Sequence, residues 1–224
     1  MSGLPHLRDV SNWQGPVDWK LERRNGLAGA YVKVSEGQGY TDPTAARRIR
    51  NATYARIPVG GYHFCTPGVG SGESQADRLL SLAPLVPGQL RPCLDCEANP
   101  LRLNEGQLAA WYLGAVIRVH KRTGYWPVIY GSPSYLRGWT IYHPEVFGRC
   151  PLWLAEYGVK VPSVPAPWSH WSAWQWTSAH TDPAIKGRVD DSFVADLRAL
   201  KIPAHAQAAR AAVKRFPGRL LIRG

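Results

Sequence analysis

Short apolar segments recur along the chain at intervals that suit the strands of one sheet. Each is five to seven residues long and is rich in apolar, β-branched or aromatic residues, as buried strands are. The pattern predicts eight strands, at 7–11, 30–35, 59–64, 91–95, 127–132, 151–157, 171–176 and 188–193.

Longer segments with helical periodicity separate the first strands. Apolar residues lie three and four apart in 43–56, 72–83 and 104–124, which predicts three helices. In the third, Asn104 can cap the start, Gln107 can complete a capping box and Gly124 can end the helix. The second half has shorter, proline-rich connections, and its helical signals are weak until 191–200.

This alternation of strand and helix favours a parallel α/β barrel or an open doubly wound sheet. The segment 9–19 carries neither a dinucleotide-binding glycine fingerprint nor a phosphate-binding loop, which favours the barrel. Acidic residues also follow the predicted strands, and a barrel brings the carboxyl ends of its strands to one face. We therefore expect one site that collects Asp9, Glu36, Asp95, Glu97 and Asp190.

Length and composition are those of a folded protein. The 224 residues suit one large domain, although length alone allows two small ones, and the hydrophobic share is 45%. We expect a barrel domain at 1–203 and a basic C-terminal helix or tail at 204–224, which is solvated, packed on the barrel or bound to a partner. No apolar run is long enough to cross a bilayer, so we predict no membrane insertion.

Charge and aromatic content are compatible with several classes of binding partner. A net charge of +11 suits nucleic acid, an anionic membrane or an anionic polymer such as bacterial cell wall. Ten Trp and ten Tyr stand beside four Phe and one Met, and rings with a polar edge suit a planar polar ligand such as a sugar. Core packing explains many of the same rings.

The cysteines do not predict a metal or redox site. Cys93 and Cys96 have C-x-x-C spacing, but no second pair or suitably spaced histidines accompany them. Residues three apart in a strand also face opposite sides. We interpret them, with Cys65 and Cys150, as free thiols packed as small apolar residues.

Asp95 and Glu97 are the strongest candidates for chemistry. In a strand they face the same side, with backbones about 6.6 Å apart. Repulsion and burial raise the pKa of one carboxyl group above that of the other, and glycosidic bond cleavage needs such a pair. The unequal side-chain lengths fit either a retaining or an inverting geometry, and ion pairing with basic residues at the barrel rim is the alternative.

An ordered set of short motifs resembles a known family. The motifs are "DVSNWQGPVDW", "YVKVSEGQGYTDP", "IPVGGYHF", "LDCE", "PVIYGS", "LWLAEY", "WQW" and "GRVDDSF". In this order, over residues 7–195, they resemble the Chalaropsis-type lysozymes of glycoside hydrolase family 25. The resemblance implies an irregular TIM-like β/α barrel with eight strands and fewer helices in its second half. It also implies a cofactor-free N-acetylmuramidase that cuts the β-1,4 bond between N-acetylmuramic acid and N-acetylglucosamine in peptidoglycan.

The resemblance also assigns roles to acids. It implies that Glu97 is the general acid/base and Asp95 the other central carboxylate, with Asp9 and Asp190 as the first and last acids of the family pattern. In the version we favour, the substrate acetamido group attacks and Asp95 stabilises the oxazolinium; otherwise Asp95 stabilises positive charge at the anomeric carbon. Asp9 and Asp190 would tune proton affinities and hold sugar hydroxyls or a water.

Substrate contacts follow from the same motifs. The predicted contacts are Glu36, Tyr62, Tyr130, Trp153 and Gln175, with core packing as the alternative for the aromatic residues. Trp13 and Trp176 are weaker candidates. His63 follows Tyr62 directly and would face away from the site, so we predict a structural histidine.

One motif departs from the family pattern. The family motif commonly reads Val-Asp-x-Asn-x-Phe, whereas "VDDSF" places Asp191 directly after Asp190. Asp190 is the matched acid, but Asp191 could replace it, since sequence alone does not give the strand register.

Two other classes compete with the enzyme. A non-catalytic wall-binding or virion protein could use the same barrel, although it has no physical reason to keep repelling acids together. A nucleic-acid binder rests on charge and aromatic residues alone. The lack of a signal-peptide pattern fits a monomeric phage or prophage endolysin that stays in the host cytoplasm until a holin or virion delivers it to peptidoglycan. A secreted enzyme without its leader is the alternative.

Overall fold

Eight strands close into a barrel in the computed structural model, which describes residues 3–203. The strands of the chain are β1 (His6–Val10), β2 (Gly29–Glu36), β3 (Tyr40–Thr41), β4 (Val59–Phe64), β5 (Cys93–Asp95), β6 (Val128–Gly131), β7 (Leu152–Ala155), β8 (Ala173–Asp182) and β9 (Ile185–Val194). Around the barrel the order is β1, β2, β4, β5, β6, β7, β8 and β9, and β9 pairs back onto β1. The short β3 pairs with β2 outside the ring. All eight predicted strands are confirmed.

The barrel is irregular in the direction of its last strand. The pairs from β1 through β8 are parallel, but β9 runs antiparallel to both β8 and β1. Only two residues connect β8 to β9, and a connection that short makes a hairpin, since a parallel pair needs a crossover of a dozen residues or more. A fully parallel barrel is therefore wrong for this chain, whereas the irregular barrel is confirmed.

Helices cover the first half of the barrel. Their bounds are α1 (Trp19–Arg24), α2 (Ala45–Tyr54), α3 (Gly72–Leu82), α4 (Glu105–Thr123), α5 (Pro133–Thr140), α6 (Pro144–Phe147) and α7 (Leu197–Leu200). The three predicted helices correspond to α2, α3 and α4. Asn104 and Gln107 form the predicted capping box, and Gly124 ends α4 with φ of 79°. Within residues 132–203 the helices have eight residues or fewer.

The helix predicted from the signal at 191–200 is wrong for the first residues of that segment. Strand β9 continues to Val194, and only α7 is helical. Pairing to β1 and β8 on its two sides satisfies the backbone of β9, and Ser192 faces the barrel interior, where the Trp153 indole donates to it at 3.0 Å. Tertiary pairing here outweighs local helix propensity.

The core has two layers. One fills the barrel and consists of Leu7, Tyr31, Leu90, Cys93, Val128, Tyr130, Trp153, Ala173, Val194 and Leu200. The other lies between the barrel and its helices and includes Cys65, Cys96 and Cys150. Cys93 and Cys96 thus face opposite sides of β5, and all four cysteines are buried free thiols, as predicted.

The C-terminal end of the described chain lies next to the predicted domain boundary at residue 203. Lys201 forms a bridge with Leu90, and the Ile202 amide donates to the Gln89 carbonyl at 2.8 Å, so the end of the described chain is attached to the segment that leads into β5. The predicted tail at 204–224 lies outside the described residues, and the division at residue 203 stays a prediction. Among the described helices, none is long and apolar enough to cross a membrane.

Candidate active site

A cavity of about 210 Å³ opens at the carboxyl ends of the parallel strands. It is lined by Asp9, Tyr62, Asp95, Glu97, Tyr130, Trp153, Tyr157, Gln175 and Asp190. These residues come from, or directly follow, seven of the eight barrel strands. The carboxyl rim of the barrel therefore brings together side chains from the whole length of the described chain.

Asp95 and Glu97 form a hydrogen-bonded carboxyl pair. Asp95 is the last residue of β5 and is 5% exposed, whereas Glu97 lies just beyond the strand and is exposed at the mouth of the cavity. Burial, and then the negative charge of Glu97, raise the pKa of Asp95. Burial also raises the pKa of Glu97, while its hydrogen bond with Asp95 lowers it. The pair therefore retains a shared proton at higher pH than isolated carboxyl groups.

Asp9 and Asp190 form a second carboxyl pair. The register of β1 and β9 places them directly opposite each other, and both line the cavity. Burial, followed by the charge of Asp190, raises the pKa of Asp9, while a hydrogen bond from Gln175 lowers it. Burial raises the pKa of Asp190 and its hydrogen bond with Asp9 lowers it. This wall of the cavity thus also binds a proton more readily than free carboxylates do.

Gln175 connects Asp9 to two tyrosines. The hydroxyl groups of Tyr130 and Tyr157 donate to Gln175 Oε1 at 2.8 and 2.5 Å, and Gln175 Nε2 donates to Asp9 Oδ2 at 2.9 Å. Gln175 is 2% exposed. Protein groups therefore engage both polar atoms of the side chain that the sequence suggested as a substrate contact.

Aromatic rings form the floor of the cavity. Trp153 is buried and stacks on Tyr31 with 4.8 Å between ring centroids, and Tyr130 packs edge-on against it at 4.7 Å. Trp153 and Tyr130 are thus part of the barrel core and of the cavity lining at once. Burial raises the pKa of Tyr62 and Tyr130 well above the usual phenol value, so both remain hydrogen-bond donors.

Tyr157 also lines the cavity, although it is not among the predicted substrate contacts. It is 49% exposed at the rim, in the segment after β7. The quoted motif "LWLAEY" ends on it, and it has the same strand parity as Trp153. Parity with a predicted inward-facing residue was the available signal.

One predicted contact and two further candidates do not line the cavity. Glu36 does not line the cavity, and its carboxylate accepts from Lys33 Nζ at 2.7 Å. Trp176 is on the outer side of the barrel wall and donates through Nε1 to Asp191 at 3.1 Å. Trp13 is 85% exposed in the segment after β1. Contact of these side chains with substrate stays a prediction.

His63 is structural in its surroundings. It is fully buried, with Nδ1 at 2.8 Å from Ser35 Oγ and Nε2 at 2.9 Å from Gln75 Oε1. Burial lowers its pKa to about 4, although the Gln75 contact opposes this. The side chain is neutral at pH 7 and lies away from the cavity, as predicted.

The barrel wall separates Asp190 from Asp191. Asp190 faces the cavity, whereas Asp191 is fully buried on the other side of β9. Asp191 accepts from Arg8 Nη1 and lies 2.9 Å from His6 Nδ1. Arg8 is its directly opposed residue on β1. The register therefore assigns the inward position to Asp190.

This arrangement predicts opposite effects of the same substitution on stability. We expect Asp191→Asn to lower the free energy of unfolding by about 2 kcal/mol, because it removes the charge that partners buried Arg8. Asp190→Asn should leave stability unchanged or raise it, since it removes repulsion with Asp9. Urea unfolding at pH 7 measures both, and equal losses in the two variants would contradict the assignment of their faces.

Clustered carboxyl groups at the carboxyl rim of a β/α barrel are typical of glycoside hydrolases. The chain belongs to glycosyl hydrolases family 25, whose family model matches residues 8–185. This confirms the family that the ordered motifs predicted, and with it the class of enzyme.

Individual relatives agree with the family. Lysozyme M1 of Streptomyces globisporus is 32% identical over 81% of this chain, and this chain spans 65% of that protein's length. N,O-diacetylmuramidase of Chalaropsis sp is 29% identical over 82% of this chain and 94% of its own length. The structure of a bacterial lysozyme from Streptomyces coelicolor superposes with a TM-score of 0.81 at 30% identity, covering 89% of this chain and 96% of that one. The fold predicted from the resemblance is thereby confirmed.

Proposed function

We propose that the protein hydrolyses the β-1,4 bond between N-acetylmuramic acid and N-acetylglucosamine in bacterial peptidoglycan. The observation that carries this proposal is the convergence of Asp9, Asp95, Glu97 and Asp190 on one cavity, with a proton retained by the Asp95–Glu97 pair. The names of the relatives, lysozyme and N,O-diacetylmuramidase, support the same substrate.

Glu97 acts as the general acid and then as the general base. Its position at the mouth of the cavity, more exposed than Asp95, lets it reach the oxygen of the scissile bond. It gives that oxygen a proton as the bond to the anomeric carbon breaks. As a carboxylate it then accepts a proton from the attacking water, which restores its starting state.

Asp95 orients the group that attacks first. Asp95 lines the cavity beside Glu97, which places its carboxylate to accept from the acetamido N–H of the substrate. The acetamido carbonyl oxygen bonds to the anomeric carbon as the leaving group departs, and Asp95 stabilises the resulting oxazolinium. Water then opens this ring at the same carbon. Two displacements give net retention of configuration.

Asp9 and Asp190 set the electrostatics of the opposite wall. Both lie at the same level of the cavity on neighbouring strands, where their charge raises the proton affinity of nearby carboxyl groups. The Tyr62 hydroxyl can donate to a sugar hydroxyl or a bound water, whereas the Tyr130 and Tyr157 hydroxyls donate to Gln175 and can accept from the substrate. In this proposal the two acids assist the Asp95–Glu97 pair and do not bond to carbon.

The bond that is cut identifies the activity. We expect mass spectrometry of digested, unreduced peptidoglycan to show fragments with N-acetylmuramic acid at the new reducing end. Fragments that end in N-acetylglucosamine would instead make the protein a glucosaminidase. Binding to peptidoglycan without new reducing ends would favour the non-catalytic wall-binding alternative.

The proposal also includes how the protein reaches the cell wall and its oligomeric state. The net charge of +11 supports adsorption to anionic wall polymers. Phage or prophage origin, holin- or virion-dependent release from the cytoplasm and action as a monomer stay predictions. Salt-sensitive DNA binding without release of reducing ends would favour the nucleic-acid alternative.

A further inference from the structure

Gln175 occupies an unusual place among the residues of the cavity. It is the third residue of β8, opposite the last residue of β7, and its amide links β6, the segment after β7 and β1 through Tyr130, Tyr157 and Asp9. It is 2% exposed, so its amide is less accessible than Tyr157 and Glu97 at the mouth of the same cavity.

The contact with Asp9 favours one orientation of this amide. Burial raises the pKa of Tyr157 to about 12 and that of Tyr130 well above its usual value, so both hydroxyls are protonated and donate. They share Oε1 as acceptor. Nε2 is then directed at Asp9 Oδ2, which accepts from it. In the opposite orientation the amide N–H groups could still donate to the two tyrosine oxygens, but the amide oxygen would lie about 2.9 Å from Asp9 Oδ2 and face the carboxylate without a hydrogen between them.

We propose that Gln175 is a positioning residue, whose amide orients the Asp9 carboxylate and fixes Tyr157 at the rim relative to it. The inference rests on the proposed function of the same cavity. Without this donor, Asp9 would face Asp190 with no other hydrogen-bond donor from the described residues to hold it in place. The effect on the reaction then arises through Asp9 and not through contact of Gln175 with the sugar.

Two substitutions test the donor directly. Gln175→Met keeps approximate size but removes both polar atoms. Gln175→Glu keeps the shape and accepts as before, but it donates to Asp9 only while the introduced carboxyl group is protonated. The ionisable groups that share this cavity with it are Asp9, Tyr62, Asp95, Glu97, Tyr130, Tyr157 and Asp190, all present in both variants.

The expected results are changes in kcat on soluble peptidoglycan oligosaccharides. Gln175→Met should lower kcat by about tenfold or more across the pH range, with KM within about twofold of the wild type. Gln175→Glu should lose about as much at pH 8 and approach the wild-type kcat as the pH falls toward 5, each value taken relative to wild type at the same pH. This recovery distinguishes donation to Asp9 from simple packing.

A matched control lies at the other end of the barrel. Gln89 accepts from the Val59 amide at 2.6 Å, far from the cavity lining, so Gln89→Met and Gln89→Glu should affect stability without changing the pH profile of kcat. A rise in KM with unchanged kcat in Gln175→Met would overturn the proposal in favour of direct substrate contact. A pH-independent loss in Gln175→Glu would overturn it in favour of a structural role.

Failure of the proposed function would be recognised separately. Wild-type protein that releases no reducing ends would refute the activity but leave the geometry testable by unfolding. Burial beside Asp9 should raise the folded-state pKa of the introduced carboxyl group in Gln175→Glu above its unfolded value. Its stability relative to Gln175→Met should therefore fall as pH rises from 4 to 8. A constant difference would show that the introduced group does not face Asp9, which overturns the positioning role.

Discussion

Replacing Glu97 with glutamine is expected to lower the rate of peptidoglycan hydrolysis by about a hundredfold to ten-thousandfold. The amide matches the carboxyl group in shape but can neither protonate the departing oxygen nor accept a proton from water. Burial raises the pKa of Glu97, so its ionised form is disfavoured in the folded protein and the substitution should not reduce stability. Release of reducing ends from purified peptidoglycan measures the rate, and thermal unfolding checks the fold.

Controls separate the role of Glu97 from a general effect of charge. Glu145 is an exposed carboxylate on α6, outside the cavity, so Glu145→Gln should keep the wild-type rate within about twofold. Asp95→Asn should lose most activity while remaining folded, because the amide cannot stabilise the oxazolinium charge. If Glu97→Gln clears peptidoglycan at the wild-type rate, its assignment as acid/base is wrong.

The strands and the long helices could be predicted because local pattern and tertiary structure agree there. In α4, apolar periodicity, the Asn104–Gln107 capping box and the terminal Gly124 all specify the same bounds. In β9 they disagree. Good helix formers follow β9 directly, so the helical signal extends back into the strand. Pairing of β9 to β1 and to β8 nevertheless keeps it in strand conformation as far as Val194.

Some of the residues that line the cavity could be predicted, because their place along the strands determines where they lie. Asp9, Asp95 and Glu97 lie near or just beyond the carboxyl ends of strands, and a barrel brings such positions to one rim. The choice between Asp190 and Asp191 depends on register, which the β8–β9 hairpin and pairing to β1 determine and which no local pattern reveals. The engagement of Gln175 by neighbouring side chains likewise exists only once three strands are assembled.

The closing strand pair carries opposite electrostatics on its two faces. On the inner face Asp9 opposes Asp190, and two carboxyl groups repel. On the outer face Arg8 opposes Asp191 and also pairs with Asp182 at 2.9 Å. The attraction between Arg8 and Asp191 on the outer face therefore offsets the repulsion between Asp9 and Asp190 on the inner face. Both pairs lie on β1 and β9, the strands that close the barrel.

Removing Arg8 should expose how much the barrel depends on this attraction. Arg8→Met is expected to lower the free energy of unfolding by about 3 to 5 kcal/mol at pH 7, because it leaves buried acids without their cation. Asp191 is fully buried, the Asp182 side chain is nearly so, and Glu22 lies 3.5 Å from Arg8 Nε. Burial raises the pKa of Glu22 to about 7 even though the Arg8 charge opposes this.

The pH dependence and a surface control make this prediction specific. The deficit of Arg8→Met should shrink as pH falls toward 4, because the uncompensated carboxyl groups then take up protons in the folded state. Arg118 pairs with Asp77 on the surface, so Arg118→Met should lose much less stability. Urea unfolding at several pH values measures both variants. Arg8 and Asp9 are neighbours on β1, so Arg8→Met should also slow hydrolysis under conditions where the variant remains folded. An unchanged rate would show that the pair of Arg8 and Asp191 stabilises the barrel without positioning Asp9.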